Sequence, residues 1–381
     1  MIQRKDYEHA TVILSSFRPE NSNGQTEYHA MITISDCLLP YSRQAEILLN
    51  ALAEIRADSC PDAGIIFKRY FLSDAANQAP LLMNYELDNP EGAVSVVEQA
   101  PLNGSKIALW VYLATGMQTR TLSSGLYECR HGAYRHLWLG SAANHAKDSE
   151  RQTRILLNDY VMQLASEGCL LADNCIRTWF FVNEPDLNYG GMVKARNEVF
   201  VTQNLTDATH FITSTGIGGR QADPQVLVQM DAYAIDGISR EQIHYLYAPA
   251  HLNRTSDYGV SFERGCYVDY GDRRHVFISG TASINNKGEI MHRGDVVAQC
   301  RRMWENVEAL LAEGGCSFDD CMQMIVYLRD PADYAIVRQL FEVRFPDKPW
   351  VIVLAKVCRS GWLIEMETIA VRAQQSEWNL F

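Results

Sequence analysis

One order of predicted elements occurs three times along the 381 residues: strand, helix, strand, helix and a closing pair of strands. Apolar residues spaced three and four positions apart indicate the helices, and short runs of β-branched and aromatic residues indicate the strands. The boundaries between the second strand and the second helix lie at Asp74, near Glu184 and at Asp330. A period of this kind predicts one structural unit present in three copies, each packed against its neighbours.

The three predicted units span residues 1–122, 123–240 and 241–381. Each is expected to be an α+β unit with one mixed sheet and two helices. In the first unit the closing strands are predicted to form a hairpin around the turn at 101–104, and the third unit carries an additional leading segment at 244–265. Neither a Pro-rich linker nor a low-complexity segment separates the units, so we expect them to pack tightly.

The composition argues against several classes of function. A formal net charge of -12 and a pI near 5.3 disfavour nucleic acid as the main partner, since that binding depends on Lys and Arg. Apolar runs fall short of the roughly 18 to 20 residues of a membrane helix, so we expect a cytoplasmic protein without a membrane partner. The ten cysteines occur singly and the histidines lack ligand spacing, so neither a metal nor a cofactor is predicted.

Two carboxylates distinguish the closing strand of the third unit. Glu365 and Glu367 are two positions apart, so both side chains project from the same face of the strand. A buried, unpaired carboxylate is costly unless its pKa rises, so the pair must line a polar cleft or bind cations. The corresponding positions in the other units are occupied by Ala108 and Trp110 and by Gln229 and Asp231. This difference predicts one working cleft per chain, centred on Glu365.

The third unit resembles the YjgF/RidA superfamily in ISGTASINNKGEI at 278–290, VYLRD at 326–330 and IEMETIAV at 364–371. Members of that superfamily fold as chorismate mutase-like units and form trimers with ligand clefts between subunits. Three units in one chain therefore imply an intrachain pseudotrimer around a central barrel, present as a monomer or as a dimer. Many members are enamine or imine deaminases that hold the substrate carboxylate with an arginine. The corresponding positions here, predicted at Ala93, within 209–212 and at Val351, lack arginine, which disfavours that activity.

A narrower resemblance to the chorismatases is carried by RTWFFVNEPDLNYGG at 177–191, STGIGG at 214–219 and HRGDV at 292–296. It implies removal of the enolpyruvyl arm of chorismate as pyruvate, without metal or cofactor. Enol ether cleavage requires a proton donor, and the resemblance assigns that role to Glu365. Cys358 matches the cysteine of those chorismatases that give 3-hydroxybenzoate. The structural alternative for Glu365 is a strand carboxylate paired with an arginine, and the alternative for Cys358 is an inert buried thiol.

A small carboxylated metabolite is the predicted partner, and the predicted substrate-binding residues are Arg359, Thr281, Ser283, Gly280, Arg254, Tyr258, Ser214, Thr215 and Gly216. Arg359 is a candidate carboxylate ligand, and the glycines permit close approach of the backbone. The segment LNRTSDYGVSFERG at 252–265 departs from the chorismatase pattern. A chorismatase-like reaction, an imine deaminase and a non-catalytic ligand-binding protein are therefore the three hypotheses.

Overall fold

The computed structural model describes residues 1–20 and 24–381 and contains three six-stranded mixed sheets. The first sheet comprises β1 (Ile2–Tyr7), β2 (Ala10–Phe17), β3 (Glu27–Ile34), β4 (Ala63–Leu72), β5 (Ala93–Glu98) and β6 (Ile107–Thr115). The second comprises β7 (Gln118–Thr121), β8 (Tyr127–His131), β9 (Tyr134–Ala142), β10 (Cys175–Val182), β11 (Thr213–Gly218) and β12 (Val228–Asp236). The third comprises β13 (Ile243–Leu246), β14 (Gly265–Asp269), β15 (Arg273–Ala282), β16 (Cys321–Leu328), β17 (Trp350–Leu354) and β18 (Ile364–Ala373).

All three sheets have the same topology. The strand orders are β1-β2-β3-β6-β4-β5, β7-β8-β9-β12-β10-β11 and β13-β14-β15-β18-β16-β17. The long helices occur in pairs, α1 (Tyr41–Ser59) with α2 (Ala75–Asp88), α3 (Ser149–Ser166) with α5 (Pro185–Thr202), and α6 (Val296–Glu313) with α7 (Tyr334–Arg344), while α4 (Leu171–Asn174) is a single turn. The predicted α+β class and the threefold repeat are confirmed.

The prediction that the closing strands of the first unit form a hairpin is wrong. β5 pairs with β4 in parallel, and β6 pairs with the other side of β4 in the antiparallel sense. The helix α2 lies between β4 and β5, and such a crossover favours parallel pairing, which leaves β5 at the sheet edge. The two N-terminal strands β1 and β2 were not predicted. β7 belongs to the second sheet although it precedes residue 123, where the second unit was predicted to begin.

The three sheets enclose a common interior, and the helices cover their outer faces. Large aromatic side chains from different sheets meet inside, with ring centroids 4.9 Å apart for Phe67 and Trp138 and 5.9 Å apart for Tyr233 and Phe277. The helices of the first two units pack on their own sheets in separate apolar clusters. The helix faces follow the predicted spacing, as in α1, where Ala45, Leu48 and Leu52 are buried. In the described ranges, no helix is long and apolar enough to cross a membrane.

The strand register shows which residues correspond among the three units. Ala108 lies opposite Phe71, Gln229 opposite Phe181, and Glu365 opposite Tyr327. Each of these pairs links the same two strands of its own sheet. The predicted correspondence of Ala108, Gln229 and Glu365 therefore agrees with the hydrogen-bonded register.

Candidate active site

A cavity of about 310 Å³ lies between the second and third units. Its walls come from α5 and β11 of the second unit and from β15, β18, the 255–264 segment and the 358–362 loop of the third. The residues that line it are Tyr189, Gly190, Val193, Arg196, Ser214, Gly216, Tyr258, Gly259, Val260, Phe262, Arg264, Gly280, Ala282, Ile284, Cys358, Arg359, Trp362 and Glu365. It combines an acid, a thiol and three arginines with an apolar and aromatic wall.

Glu365 is the carboxyl group at the floor of this cavity. Its side chain is buried, and a Cβ atom at Gly280 would lie 2.1 Å from its Oε1, so any other residue at position 280 would displace the carboxyl group. Within the part of the chain that the structure describes, its carboxylate accepts no side-chain or backbone hydrogen bond. The pKa of Glu365 is raised to about 8, first by burial and then by the charge of Glu367. The group is therefore protonated at neutral pH and can donate a proton.

The thiol of Cys358 lies in the loop between β17 and β18 and faces the same cavity. Its pKa is raised to about 12, first by burial and then by the charge of Glu365, while the hydroxyl of Tyr189 opposes the rise. At neutral pH the group is a thiol and not a thiolate. Because the thiolate is the nucleophilic form, Cys358 is unsuited to covalent catalysis and suited to exchanging a proton or a hydrogen bond.

Arg196 supplies a buried cation to the cavity from α5. It is 1% exposed, and neither its Nε nor its Nη2 has a hydrogen-bond partner among the described residues. Burial lowers its pKa, but a guanidinium remains charged in proteins. Its Cζ lies 5.9 and 5.8 Å from the ring centroids of Phe180 and Phe262. The two donors that lack a partner could bind the oxygens of an anionic ligand.

In the first unit, the position that corresponds to Arg196 carries a charged group that is paired within the protein. Glu86 follows Asp74 by as many positions as Arg196 follows Glu184. Its carboxylate binds Lys68 and accepts a hydrogen bond from the hydroxyl of Tyr70 at 2.5 Å. The polar group of the first unit is therefore satisfied within the protein, whereas that of the second is not.

Two further arginines face the cavity. Arg264 donates from its Nη2 to the backbone carbonyl of Asn253 at 3.2 Å. Arg359 lies over the rings of Tyr258 and Trp362, with its Cζ 4.5 and 4.9 Å from their centroids. Across residues 1–20 and 24–381, Arg196, Arg264 and Arg359 form no salt bridge within 4.0 Å. With Glu365 protonated, the cavity is strongly cationic and suits a ligand with at least two negative charges.

Glu367, two positions along the same strand, lies outside the cavity. Its carboxylate accepts hydrogen bonds from Arg177 Nη2 and Trp179 Nε1 at 2.9 Å each and from Thr215 Oγ1 at 2.6 Å. The two acids thus take the two predicted environments, one in a cleft and the other paired with cations.

Most of the predicted site residues come together, and four do not. Glu365, Cys358, Arg359, Gly280, Tyr258, Ser214 and Gly216 line the cavity. Thr281 donates to the carbonyl of Ser279 at 2.9 Å and Ser283 to that of Met291 at 3.1 Å, so both hydroxyls are used within the backbone. Thr215 bonds Glu367 behind the cavity, and Arg254 lies exposed over the ring of Tyr247 at 4.5 Å.

Tyr189, Arg196 and Trp362 line the cavity but were not predicted as site residues. Arg264, which also lines it, lies in the 252–265 segment, where the chorismatase resemblance implies contacts to substrate. Tyr189 and Arg196 are seven positions apart on α5 and so share one helix face, which is the signal that was available in the sequence. The register also moves the positions predicted to correspond to the deaminase arginine. Val351 lies opposite Ile325, and the equivalent pairs place Ser95 and Thr215 there, instead of Ala93 and a residue within 209–212.

The equivalent cleft between the first and second units is filled by protein groups. Gln229 donates to the carbonyl of Val96 at 3.1 Å, and the amide of Val96 donates to Ser141 Oγ at 2.8 Å. At the junction of the third and first units, the Leu354 amide donates to the carbonyl of Ala100 at 2.8 Å.

Among the residues that the structure describes, no cluster of three or more His, Cys, Asp or Glu side chains is arranged to bind a metal ion.

Comparisons with known proteins identify relatives of this chain. A family model described as Endoribonuclease L-PSP matches residues 263–372. A RutC family protein of Pyrococcus abyssi is 35% identical over 100 residues, which cover 26% of this chain and 78% of that protein. A 3-hydroxybenzoate synthase of Streptomyces hygroscopicus is 28% identical over 217 residues, which cover 51% of this chain and 63% of the synthase, less than two thirds of its length.

Among solved structures, a chorismatase crystal structure superimposes with a TM-score of 0.63 at 18% sequence identity. The superposition covers 81% of this chain and 93% of the chorismatase chain. At this level of identity the likeness concerns the fold. It extends over the larger part of the chain and therefore beyond the region that the family model matches.

Proposed function

Because this chain belongs to the YjgF/RidA superfamily and is chorismatase-like in sequence and fold, we propose that it removes the enolpyruvyl group of chorismate, or of a related small cyclic dicarboxylate, as pyruvate. One observation carries the proposal. The carboxyl group of Glu365 is protonated at neutral pH and faces a cavity that also contains Arg196, Arg264 and Arg359. A proton donor beside cations is what cleavage of an anionic enol ether requires.

In the proposed reaction, Glu365 gives its proton to the terminal methylene carbon of the enol ether. The oxocarbenium ion that results is attacked by water, whose proton returns to the Glu365 carboxylate. The hemiketal then breaks its bond to the ring oxygen, which takes up the proton that the hemiketal hydroxyl loses, and pyruvate is released with a hydroxyl group left on the ring. Burial of Glu365 favours its neutral form before the transfer, and the arginines stabilise the two carboxylates of the substrate throughout.

The direct test is incubation of the purified protein with chorismate, with pyruvate followed through a coupled reduction by NADH. We expect stoichiometric pyruvate. The competing deaminase hypothesis predicts no pyruvate from chorismate and an accelerated release of ketoacid from 2-aminoacrylate, and that pair of results would overturn the proposal.

The rate should depend on pH through Glu365. An acid catalyst is active when protonated, and the pKa of Glu365 is about 8, so kcat/KM for chorismate should be constant between about pH 6 and 7 and fall at higher pH with a midpoint near pH 8. Initial rates of pyruvate release across pH 6 to 10 measure this. A rate that rises through pH 8 would show that the ionised carboxylate is the active form.

Cys358 is proposed to direct the product. Hydrolysis consumes one water and leaves a dihydroxycyclohexadiene carboxylate. Formation of 3-hydroxybenzoate consumes no net water, because the ring also loses its second hydroxyl group and a ring proton as one water, and so it requires a second group to move that proton. Cys358 is a neutral thiol within the same cavity as Glu365. Replacing Cys358 with alanine should therefore shift the product from 3-hydroxybenzoate to the diene while pyruvate is still released.

Chromatography of the products measures that shift, with Cys300→Ala as the matched control because Cys300 is buried on α6, away from the cavity. Unchanged 3-hydroxybenzoate from Cys358→Ala would remove the thiol from the reaction.

We also propose that one chain closes the barrel without partner chains, so that the protein sediments as a monomer or a dimer. A trimer of chains in sedimentation equilibrium would contradict this.

A further inference from the structure

An ionic cluster contributed by all three units lies behind Glu365, inside the barrel. Glu367 of the third unit binds Arg177 of the second at 2.9 Å and lies 3.5 Å from Nη1 of Arg69, which belongs to the first. Arg69 also binds Asp231 of the second unit at 2.9 Å. These four side chains are at most 2% exposed, so water does not screen their charges.

The cluster is connected to the cavity floor by short hydrogen bonds. Thr215 Oγ1 accepts from Arg177 Nη2 at 2.6 Å and from the amide of Gly280 at 2.8 Å, and donates to Glu367. Ser279 Oγ accepts from Arg177 Nη1 at 3.1 Å. Gly280 is the residue against which the Glu365 carboxyl group lies. A change of charge or position at Arg177 or Glu367 is thus transmitted directly to the acid.

We propose that Glu367, Arg177 and Arg69 are positioning residues that set the protonation of Glu365 from behind the cavity, with Glu367 favouring the neutral, proton-donating acid and the two arginines limiting that effect. The catalytic role of Glu365 in this inference rests on the proposed function, but its titration does not. No described residue of the first unit lines the cavity, yet this unit supplies Arg69, which offsets the charges of Glu367 and Asp231. The protonation of Glu365 in the third unit would accordingly depend on Arg69 of the first unit, which has no acid at the position of Glu365.

The charge of each residue in the cluster determines whether that residue raises or lowers the pKa of Glu365. Two carboxylates and two guanidiniums balance in the cluster, and Glu367, on the same face of the same strand, is the negative charge that raises the pKa of Glu365. Removing Glu367 therefore favours ionisation of Glu365, and removing Arg69 opposes it. The titratable and charged groups that face Glu365 from all surrounding elements are Glu367, Tyr327, Arg177, Arg264, Cys358, Arg359, Tyr189, Arg196 and Tyr258.

The test is a direct titration of Glu365 in the ligand-free protein by carbon NMR of labelled glutamate carboxyl groups, with Glu365→Gln used to assign the signal. Relative to wild type, Glu367→Gln should lower the midpoint by about one pH unit, and Arg69→Met should raise it. The double variant Arg69→Met/Asp231→Asn removes one charge of each sign and should leave the midpoint close to that of wild type. Circular dichroism and the melting temperature establish that each variant is folded.

Midpoints that agree with wild type in both folded single variants would overturn the inference. If Glu367→Gln does not fold, Asp231→Asn replaces it and should also lower the midpoint, opposite in sign to Arg69→Met, and two shifts of the same sign would refute the charge mechanism. Shifted midpoints without pyruvate release would refute the proposed function alone. Pyruvate release with an unmoved midpoint would refute this inference alone.

Discussion

Replacing Glu365 with glutamine is expected to lower the rate of pyruvate release from chorismate by about 10³-fold, within the range that general acid catalysis contributes. Glutamine keeps the shape of the side chain and removes the transferable proton. The fold should tolerate it, because the second unit has Gln229 at the corresponding strand position. The loss should appear in kcat, since the proton is transferred only as the transition state is reached.

Steady-state kinetics with chorismate measure this effect, and Glu377→Gln is a suitable control because Glu377 is exposed near the C-terminus. The melting temperature of Glu365→Gln should stay near that of wild type, since Glu365 is already neutral in the folded protein at pH 7. An activity within threefold of wild type would remove Glu365 from the mechanism. A lost activity accompanied by unfolding would be resolved by Glu365→Asp, which keeps the acid but shortens its reach.

The repeat was accessible from sequence because helix and strand periodicities are local signals that occur in the same order three times. The pairing of β5 was not, because adjacency in sequence favours but does not require adjacency in the sheet. Here β4 lies between β5 and β6. Of the two N-terminal strands, β1 reads IQRKDY and is an edge strand without an apolar run. By contrast, β2 reads ATVILSSF, so the apolar signal of a strand was present in its sequence.

The residues of the candidate site likewise fall into two groups, those that the sequence identified and those that only the packing of the units reveals. Glu365, Cys358 and Arg359 lie within eight positions of one another, so one segment of sequence identified them. Tyr189 and Arg196 reach the cavity from the neighbouring unit, and that proximity is created only by packing between units. Thr281 and Ser283 have the right chemistry for binding an anion, but their hydroxyls donate to backbone carbonyls. Sequence indicates a donor's type and leaves open whether the protein has already used it.

Three copies of one unit also show how the clefts between units have diverged. Glu365 is replaced by Gln229 and Ala108 in the other units, and the position of Arg196 is Glu86 in the first. Gln229 and Glu86 have hydrogen-bond or ionic partners within the protein. The cleft that retains a protonated acid also retains a buried guanidinium whose Nε and Nη2 lack hydrogen-bond partners among the described residues. Such a costly pair of groups is consistent with a ligand that compensates for it.

Replacing Arg196 with methionine should therefore separate binding from stability. The buried guanidinium lacks an acceptor on Nε and Nη2 among the described residues, so its removal should cost only its contacts with the rings of Phe180 and Phe262, and the melting temperature of the ligand-free protein should change little. Loss of a charge-assisted contact to a substrate carboxylate should lower kcat/KM for chorismate by roughly 10²-fold.

Arg196→Lys is the matched variant, because it keeps the charge and loses the planar pair of donors. It should bind more weakly than wild type and more tightly than Arg196→Met, since a lysine is a point charge that cannot bind a carboxylate through two parallel hydrogen bonds. Arg338→Met, at an exposed helix position, controls for the loss of a positive charge elsewhere. A wild-type KM in Arg196→Met, or a melting temperature lowered as far as that of a core variant, would show that Arg196 serves the fold instead of the ligand.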